Sequence, residues 1–307
     1  MRTQFVIGSR GSQLALTQAR LIQDQLKQQI PAVEIRIEII KTTGDVRAEP
    51  LSIIGGKGVF TKELEDALLD QRIDLAVHSL KDLPTIVPDG LAISAVCKRD
   101  DPRDALVLPL KNKSTKTLEQ LANGAIVGTS SPRRLAQLKS CRPDLTIKDL
   151  RGNVDTRLRK LDEGEYDALI LACAGLRRLN LDNRISVALT TDLMLPAVGQ
   201  GALAIETRGS DADAIELAGR LDHKFTRVAC VAERALLREL GGGCQLPIAA
   251  HAVVRDKRVR LDGLIAATDG TKIVRERVSG GLDEAEELGQ LLAQQLWANG
   301  GKELLGR

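Results

Sequence analysis

Short apolar runs alternate with amphipathic stretches through the first two-thirds of the chain. Residues 5–7 form an apolar strand, and Ser12 then precedes a helix whose Ala15, Ala19, Ile22 and Leu26 fall on one face. The alternating run 34–40 predicts a strand, 61–69 a helix, 74–77 a short strand ending at His78-Ser79-Leu80-Lys81-Asp82, and 91–96 another strand. A hydrophilic break at 98–103 marks a boundary. The rhythm then repeats with strand 125–127, a helix from Pro132, strand 146–148, a helix over 154–162 and strand 168–172. Residues 195–201 read as a second crossing, after which strand 202–205 returns to the first unit. Strands alternating with helices imply α/β architecture, and two crossings imply two hinged lobes with a ligand between them.

The last ~90 residues change character. A helix over 225–240 places Val228, Val231, Ala232, Ala235 and Leu236 on one stripe, and Gly241-Gly242-Gly243 ends it. Strand-like runs follow at 248–254, 259–266 and 272–278, then a helix over 284–297, giving a small α+β domain.

A chain of 307 residues is too long for one ordinary core and fits two or three domains. Its longest apolar stretches, such as 168–175, fall short of the ~20 residues a membrane span needs, so no membrane partner is expected. The start of the chain has no charged region followed by a long apolar one, which argues against a secretory signal and for the cytoplasm. Cys97, Cys141, Cys173, Cys230 and Cys244 are odd in number and widely spaced, and only three histidines accompany them. Neither a disulfide framework nor a metal site is expected, and four of these thiols read as small core hydrophobes.

Net charge is only +3, but residues 127–160 hold nine Lys or Arg against three Asp. Such a field concentrates an anionic partner. Nucleic acid is poorly served, because the only aromatics are Phe5, Phe60, Tyr166, Phe225 and Trp297, and base-stacking platforms are scarce.

The candidate chemistry clusters where strands end. Thr129-Ser130-Ser131-Pro132-Arg133-Arg134 combines a capped, proline-led helix start with two guanidiniums. Arg151-Gly152-Asn153 and Arg157 repeat the design around an Asn cap, Arg177 and Arg178 follow strand 168–172, and Arg10 and Ser12 follow the first strand. Four such clusters suit a ligand with several carboxylates, for which arginine's planar fork is better fitted than lysine. Gly55-Gly56-Lys57-Gly58 lacks phosphate-loop spacing and reads either as a mobile lid or as a flexible surface loop. Taken alone, Asp82 is a cap or ion-pair partner as readily as a catalyst, and His78 a structural hydrogen-bonder. Cys244 follows the electronegative end of a helix, which does not activate a thiol.

Together the segments Gly8-Ser9-Arg10-Gly11-Ser12, Gly55 to Glu65, His78-Ser79-Leu80-Lys81-Asp82-Leu83-Pro84, Arg151-Gly152-Asn153, Leu195 to Gly201 and Gly242-Gly243-Cys244-Gln245 closely resemble the porphobilinogen deaminase (hydroxymethylbilane synthase) family, in order along nearly the whole chain. The resemblance implies two hinged periplasmic-binding-protein-like α/β lobes plus a small α+β C-terminal domain. Domain 1 would comprise residues 1–97 and 198–217, domain 2 residues 98–197 and domain 3 residues 218–307.

It also implies a monomeric transferase that joins four porphobilinogen units head to tail with loss of ammonia. The chain grows on dipyrromethane held by a thioether, which maps to Cys244, and water releases the linear tetrapyrrole. Asp82 maps to the catalytic aspartate, stabilising the cationic azafulvene-like electrophile and helping to move protons. Such an electrophile is reactive enough for a modestly activated thiol to capture. Ser12, Ser79, Lys81, Thr129, Ser130, Arg133, Arg134, Arg151 and Asn153 would hold cofactor; Arg10, Arg157, Arg178, Lys57 and Phe60 would serve the substrate. Pro132, Asp155 and Gly241 depart from the family's usual residues without removing a catalytic group. The rival readings are a non-catalytic anion-binding protein, which leaves the Cys244 domain without a role, and an inactive relative, which intact Asp82 and Cys244 oppose.

Overall fold

The computed structural model describes residues 2–42, 61–112, 115, 117–243 and 245–306. In chain order come β1 (Gln4–Ser9), α1 (Gln13–Gln29), β2 (Glu34–Ile39), α2 (Lys62–Leu69), β3 (Leu75–Ser79) and β4 (Leu91–Val96). They are followed by β5 (Asp104–Val107), β6 (Ile126–Gly128), α3 (Pro132–Cys141), β7 (Thr146–Lys148), α4 (Val154–Asp162), β8 (Ala168–Ala172), α5 (Cys173–Arg178) and β9 (Val187–Ala188). Next are β10 (Leu203–Arg208), α6 (Ala212–Gly219) and α7 (Lys224–Glu239), then β11 (Ile248–Arg255), β12 (Arg258–Ala266), β13 (Ile273–Gly281) and α8 (Ala285–Leu296). The backbone groups into two compact units, Met1–Asp100 with Ala202–Arg227, and Asp101–Gly201 with Val228–Arg307.

The first unit is a five-stranded sheet in the order β2-β1-β3-β10-β4. β1 runs parallel to β2 and β3, while β10 lies antiparallel between β3 and β4. Both faces are covered, as a mixed sheet with buried central strands requires. Ala19, Ile22 and Leu26 of α1, spaced three and four residues apart, pack with Ala214, Leu217 and Ala218 of α6 against Phe5, Ile7 and Ile205. Leu64 and Leu68 of α2 cover the opposite face with Ile40, Ile73 and Ala76. The strand expected at 202–205 does return to this sheet.

The second unit repeats the plan, β7-β6-β8-β5-β9, with β6 parallel to β7 and β8 and β5 antiparallel between β8 and β9. In each sheet, then, the fourth strand arrives directly after a crossing segment. The strand pattern missed β5 and β9. β5 opens on a fully buried aspartate, Asp104, directly after the hydrophilic break, and β9 has only two residues.

The same unit contains the antiparallel sheet β11-β12-β13, whose inner face packs on α7 and α8 through Ala232, Leu236, Leu261, Ile265 and Leu292. Ala136 of α3 and Leu195 join Ala249, Leu264 and Ala266 in a second apolar cluster. Of the stripe expected on α7, Ala232, Ala235 and Leu236 are buried but Val231 faces out. Cys97, Cys173 and Cys230 are buried as expected; Cys141, at the end of α3, is exposed and is no core residue.

Gly289 sets the approach of α8 to α7, because a Cβ there would lie 2.5 Å from the Ala232 carbonyl and 2.6 Å from the Ala235 Cβ. Alanine is the better helix former by about 1 kcal/mol. The collision is with backbone and outweighs that gain, so Gly289→Ala is expected to destabilise the protein by about 1–3 kcal/mol in urea unfolding. Stabilisation would mean that the helices separate freely.

Candidate active site

In the first unit the carboxyl ends of β1 and β3 lie side by side, since Ile7 pairs with Leu75 and Gly8 with Ala76 in parallel register. Open α/β sheets collect ligands at this edge. The β1 end carries Arg10 and Ser12; the β3 end carries Ser79 and then a 3-10 turn over Leu80–Asp82 that includes Lys81. Gln18 Nε2 of α1 donates to Ser79 Oγ at 2.9 Å and ties the two ends together. Leu80 and Leu83 are buried, and the Leu80 N–H donates to the Ala202 carbonyl at 3.0 Å. Between these two anchors Asp82 is exposed. Ser12 caps α1 as expected, its Oγ accepting from the Ala15 N–H at 3.3 Å. The structure thus gathers Arg10, Ser12, Ser79, Lys81 and Asp82 at one sheet edge.

In the second unit the loops after β6 and β7 are stitched together. The Ser130 hydroxyl donates to the Leu150 carbonyl at 2.5 Å and accepts from the Leu150 N–H at 3.0 Å. Thr129 is buried, and its Oγ1 accepts from the Ser131 N–H at 3.2 Å. Both hydroxyls, expected to face a ligand, therefore shape the loop that starts α3. Ser131 is the N-cap residue and Pro132 follows at the first helical position. Asn153 begins α4 in extended geometry but its side chain makes no capping bond, unlike the Asn cap expected.

Gly152 adopts φ +104°, a conformation side chains resist, and the turn lets Arg157 Nε donate back to the Gly152 carbonyl at 2.8 Å. Arg151 Nε meets Asp149 Oδ2 at 3.0 Å. Burial alone would raise the Asp149 carboxyl, but the Ser130 hydroxyl and the charges of Arg151 and Arg157 hold it below the ordinary value. Arg178 Nη2 donates to the Gly201 carbonyl at 2.6 Å, while Arg177 pairs with Asp101 and Asp182 at 3.2 and 3.5 Å.

Arg133 and Arg134 turn inward. Both were expected to face carboxylates of a ligand, yet they are 4% and 7% exposed and converge on Asp104, which is 0% exposed. Arg133 Nη1 donates to Asp104 Oδ2 at 2.8 Å and to the Leu195 carbonyl at 2.8 Å. Arg134 uses Nε and Nη2 on Asp104 Oδ1, at 3.1 and 2.7 Å, and Nη1 on the Ile170 carbonyl at 2.9 Å. Every nitrogen of Arg134 is committed inward, whereas the bonds of Arg133 to these groups all use Nη1. Gln200 Nε2 adds a bond to Asp104 Oδ1 at 3.0 Å. Burial would raise the Asp104 carboxyl, but the two guanidiniums overcome it and hold it far below the carboxylate range.

Lys57, Phe60 and Cys244 lie outside the described residues. α7 stops before Gly241 at φ +58°, the left-handed glycine expected at a helix end. Cys173 is no alternative nucleophile: burial, with the neighbouring Asp101 charge, pushes its thiol up to about 11. Asp104 and Gln200 were not foreseen as partners of the arginines. Their only signal is polarity, an aspartate before Ala105-Leu106-Val107 and a glutamine within the crossing segment.

A carboxylate-bearing cofactor fits this edge of the second unit. Arg133 stands in the first turn of α3, whose leading N–H groups have no partner within the helix, and Ser130 joins this loop to Leu150, the residue before Arg151.

Residues 5–216 match the domain family described as porphobilinogen deaminase, dipyromethane cofactor binding domain, and residues 227–298 the porphobilinogen deaminase C-terminal domain. The porphobilinogen deaminase of Desulforudis audaxviator (strain MP104C) is 51% identical over 308 residues, covering 100% of this chain and 98% of the relative. That of Synechococcus elongatus (strain ATCC 33912 / PCC 7942 / FACHB-805) is 50% identical over 300 residues, covering 97% and 93%. Among solved structures, substrate binding domain 2 of Lactococcus lactis GlnP aligns at 13% identity and TM-score 0.44 over 78% of this chain and 91% of that chain, a likeness too slight to bear weight.

Asp104→Asn leaves two buried guanidiniums facing a neutral amide and is expected to lower stability by about 3–5 kcal/mol in thermal or urea unfolding. Because the two guanidiniums lower the Asp104 pKa in the folded state, its contribution is full above the ordinary value of about 3.9 and is withdrawn only as pH falls below it. The variant should lack that part of acid destabilisation; a wild-type acid profile would remove Asp104 from the balance.

Proposed function

The chain belongs to the porphobilinogen deaminase family, and on that premise we propose that Asp82 acts on each incoming substrate unit while Cys244 anchors the cofactor. The activity is the stepwise head-to-tail condensation of four porphobilinogen molecules, with release of ammonia, to hydroxymethylbilane. Dipyrromethane, when bound, supplies the terminal pyrrole carbon on which the product is built.

One observation carries the role of Asp82: its carboxylate is exposed on a turn fixed on both sides by buried Leu80 and Leu83, beside the end of β1. A carboxylate held in this way approaches the substrate pyrrole N–H and stabilises positive charge as ammonia departs. It then accepts or returns the proton exchanged in coupling. Porphobilinogen carries acetate and propionate groups. Arg10, Arg157, Arg178, Lys57 and Phe60 would bind them on the incoming unit. Ser12, Lys81, Ser79, Thr129, Ser130, Arg133, Arg151 and Asn153 would hold the primer, with Arg134 supporting Arg133 through Asp104. Thr129 and Ser130 would act through the loop they brace.

The three-domain division expected from the sequence is kept as part of this proposal, as are a monomeric state and a cytoplasmic site. No described helix is long and apolar enough to cross a membrane.

Intact mass measurement after expression in a haem-competent host should show two linked pyrrole units above the 33.2 kDa polypeptide, and Cys244→Ser should lose them. Bare wild-type protein would refute the anchor. Asp82→Asn should keep the fold and the adduct but lower kcat by about 10²-fold or more; near-normal turnover would take Asp82 out of the reaction.

A further inference from the structure

The first unit buries titratable groups directly behind the Asp82 turn, and the reaction as described uses none of them. Glu206 of β10 is 0% exposed and His78 of β3 is 6% exposed, with His78 Nε2 and Glu206 Oε2 3.1 Å apart. The register explains the contact. Ala204 lies opposite His78 and Glu206 opposite Ala76, so the two side chains are diagonal neighbours on one sheet face. α2 covers that face and delivers Glu65, 8% exposed.

One oxygen of Glu65 and one of Glu206 are buried without any hydrogen-bond partner. Two buried carboxyls beside one imidazole are least costly when one of them carries a proton. Burial pushes the Glu65 carboxyl up; the Thr61 hydroxyl opposes this, the Glu206 charge adds to it, His78 opposes, and Asp66 adds. Burial and the Glu206 charge thus favour the protonated form of Glu65. Among the described residues, the charged and titratable groups facing it are Asp66 on its own helix, His78 on β3 and Glu206 on β10.

His78 is the penultimate residue of β3, and the turn bearing Asp82 starts two residues later. We propose that Glu206, acting through His78, is a positioning residue for Asp82, and that a proton on Glu65 keeps this pair in its productive arrangement. When Glu65 ionises, a second buried negative charge faces Glu206. Repulsion then loosens the His78 contact and with it the end of β3. The proposal rests on Asp82 being the acting carboxylate.

The sign follows from linkage. Folding favours protonated Glu65, so its contribution to stability is present below the ordinary glutamate value of about 4.3 and is lost as pH rises through the higher folded value.

The test measures kcat and KM for porphobilinogen against pH, with thermal unfolding in parallel, on cofactor-loaded full-length wild type, Glu65→Gln, Glu206→Gln, His78→Ala, His78→Gln and Asp82→Asn. Glu206→Gln and His78→Ala should lower kcat about tenfold or more with KM within about twofold, since misplacement acts on the reacting geometry. His78→Gln, which can still donate to Glu206, should recover most of the loss. Wild-type kcat should fall as Glu65 ionises, and Glu65→Gln should lack that fall both in kcat and in Tm. Should Glu206→Gln not fold, the two His78 variants decide. Loss of Tm alone with wild-type kcat in His78→Ala, or the same pH limb in Glu65→Gln, overturns the inference. Turnover by Asp82→Asn instead overturns the role of Asp82 on which it rests.

Discussion

The second unit is organised around one buried negative charge. Asp104 at the start of β5 receives Arg133 and Arg134 from α3 and Gln200 from the crossing segment. The same arginines reach the Leu195 and Ile170 carbonyls, so the network fastens β5, α3, β8 and residues 195–201. Burying an unpaired charge costs several kcal/mol, and here each ion is tolerable only because the others are in place. That mutual dependence selects one arrangement of four segments, which apolar packing, being non-directional, does less well. It also fixes the Arg133 side chain between Asp104 and the Leu195 carbonyl.

Regular elements were legible where local chemistry is strong. Ser12, Pro132 and Gly241 mark helix ends that the backbone adopts, and β4 and β8 coincide with apolar runs of the chain. β10 was legible because Leu203-Ala204-Ile205 follows the crossing. Its counterpart β5 was not, because it begins with a charge that only the folded structure neutralises.

The candidate site divides in the same way. Residue types at strand ends pointed to anion binding, and Arg10, Ser79, Lys81 and Asp82 do share one sheet edge. What the sequence could not reveal is the direction of each charge. Arg134 looks like its neighbour in the chain, yet its counter-ion is 30 residues away in β5. The His78–Glu206 contact spans 128 residues and leaves no local signature. The bond of the Ser130 hydroxyl to a backbone carbonyl 20 residues on has no local signature either.

The position of β10 has a consequence for how the chain is made. It lies between β3 and β4, although more than a hundred residues, including the whole second five-stranded sheet, are synthesised after β4 and before it. Until β10 emerges from the ribosome, β3 and β4 each present an unpaired edge, the kind of surface that recruits other strands. The first lobe therefore cannot finish folding in the order in which it is translated, and its closure is a late, long-range event. Since the Leu80 N–H bonds to Ala202 just before β10, the turn that carries Asp82 takes its final form only at that last step.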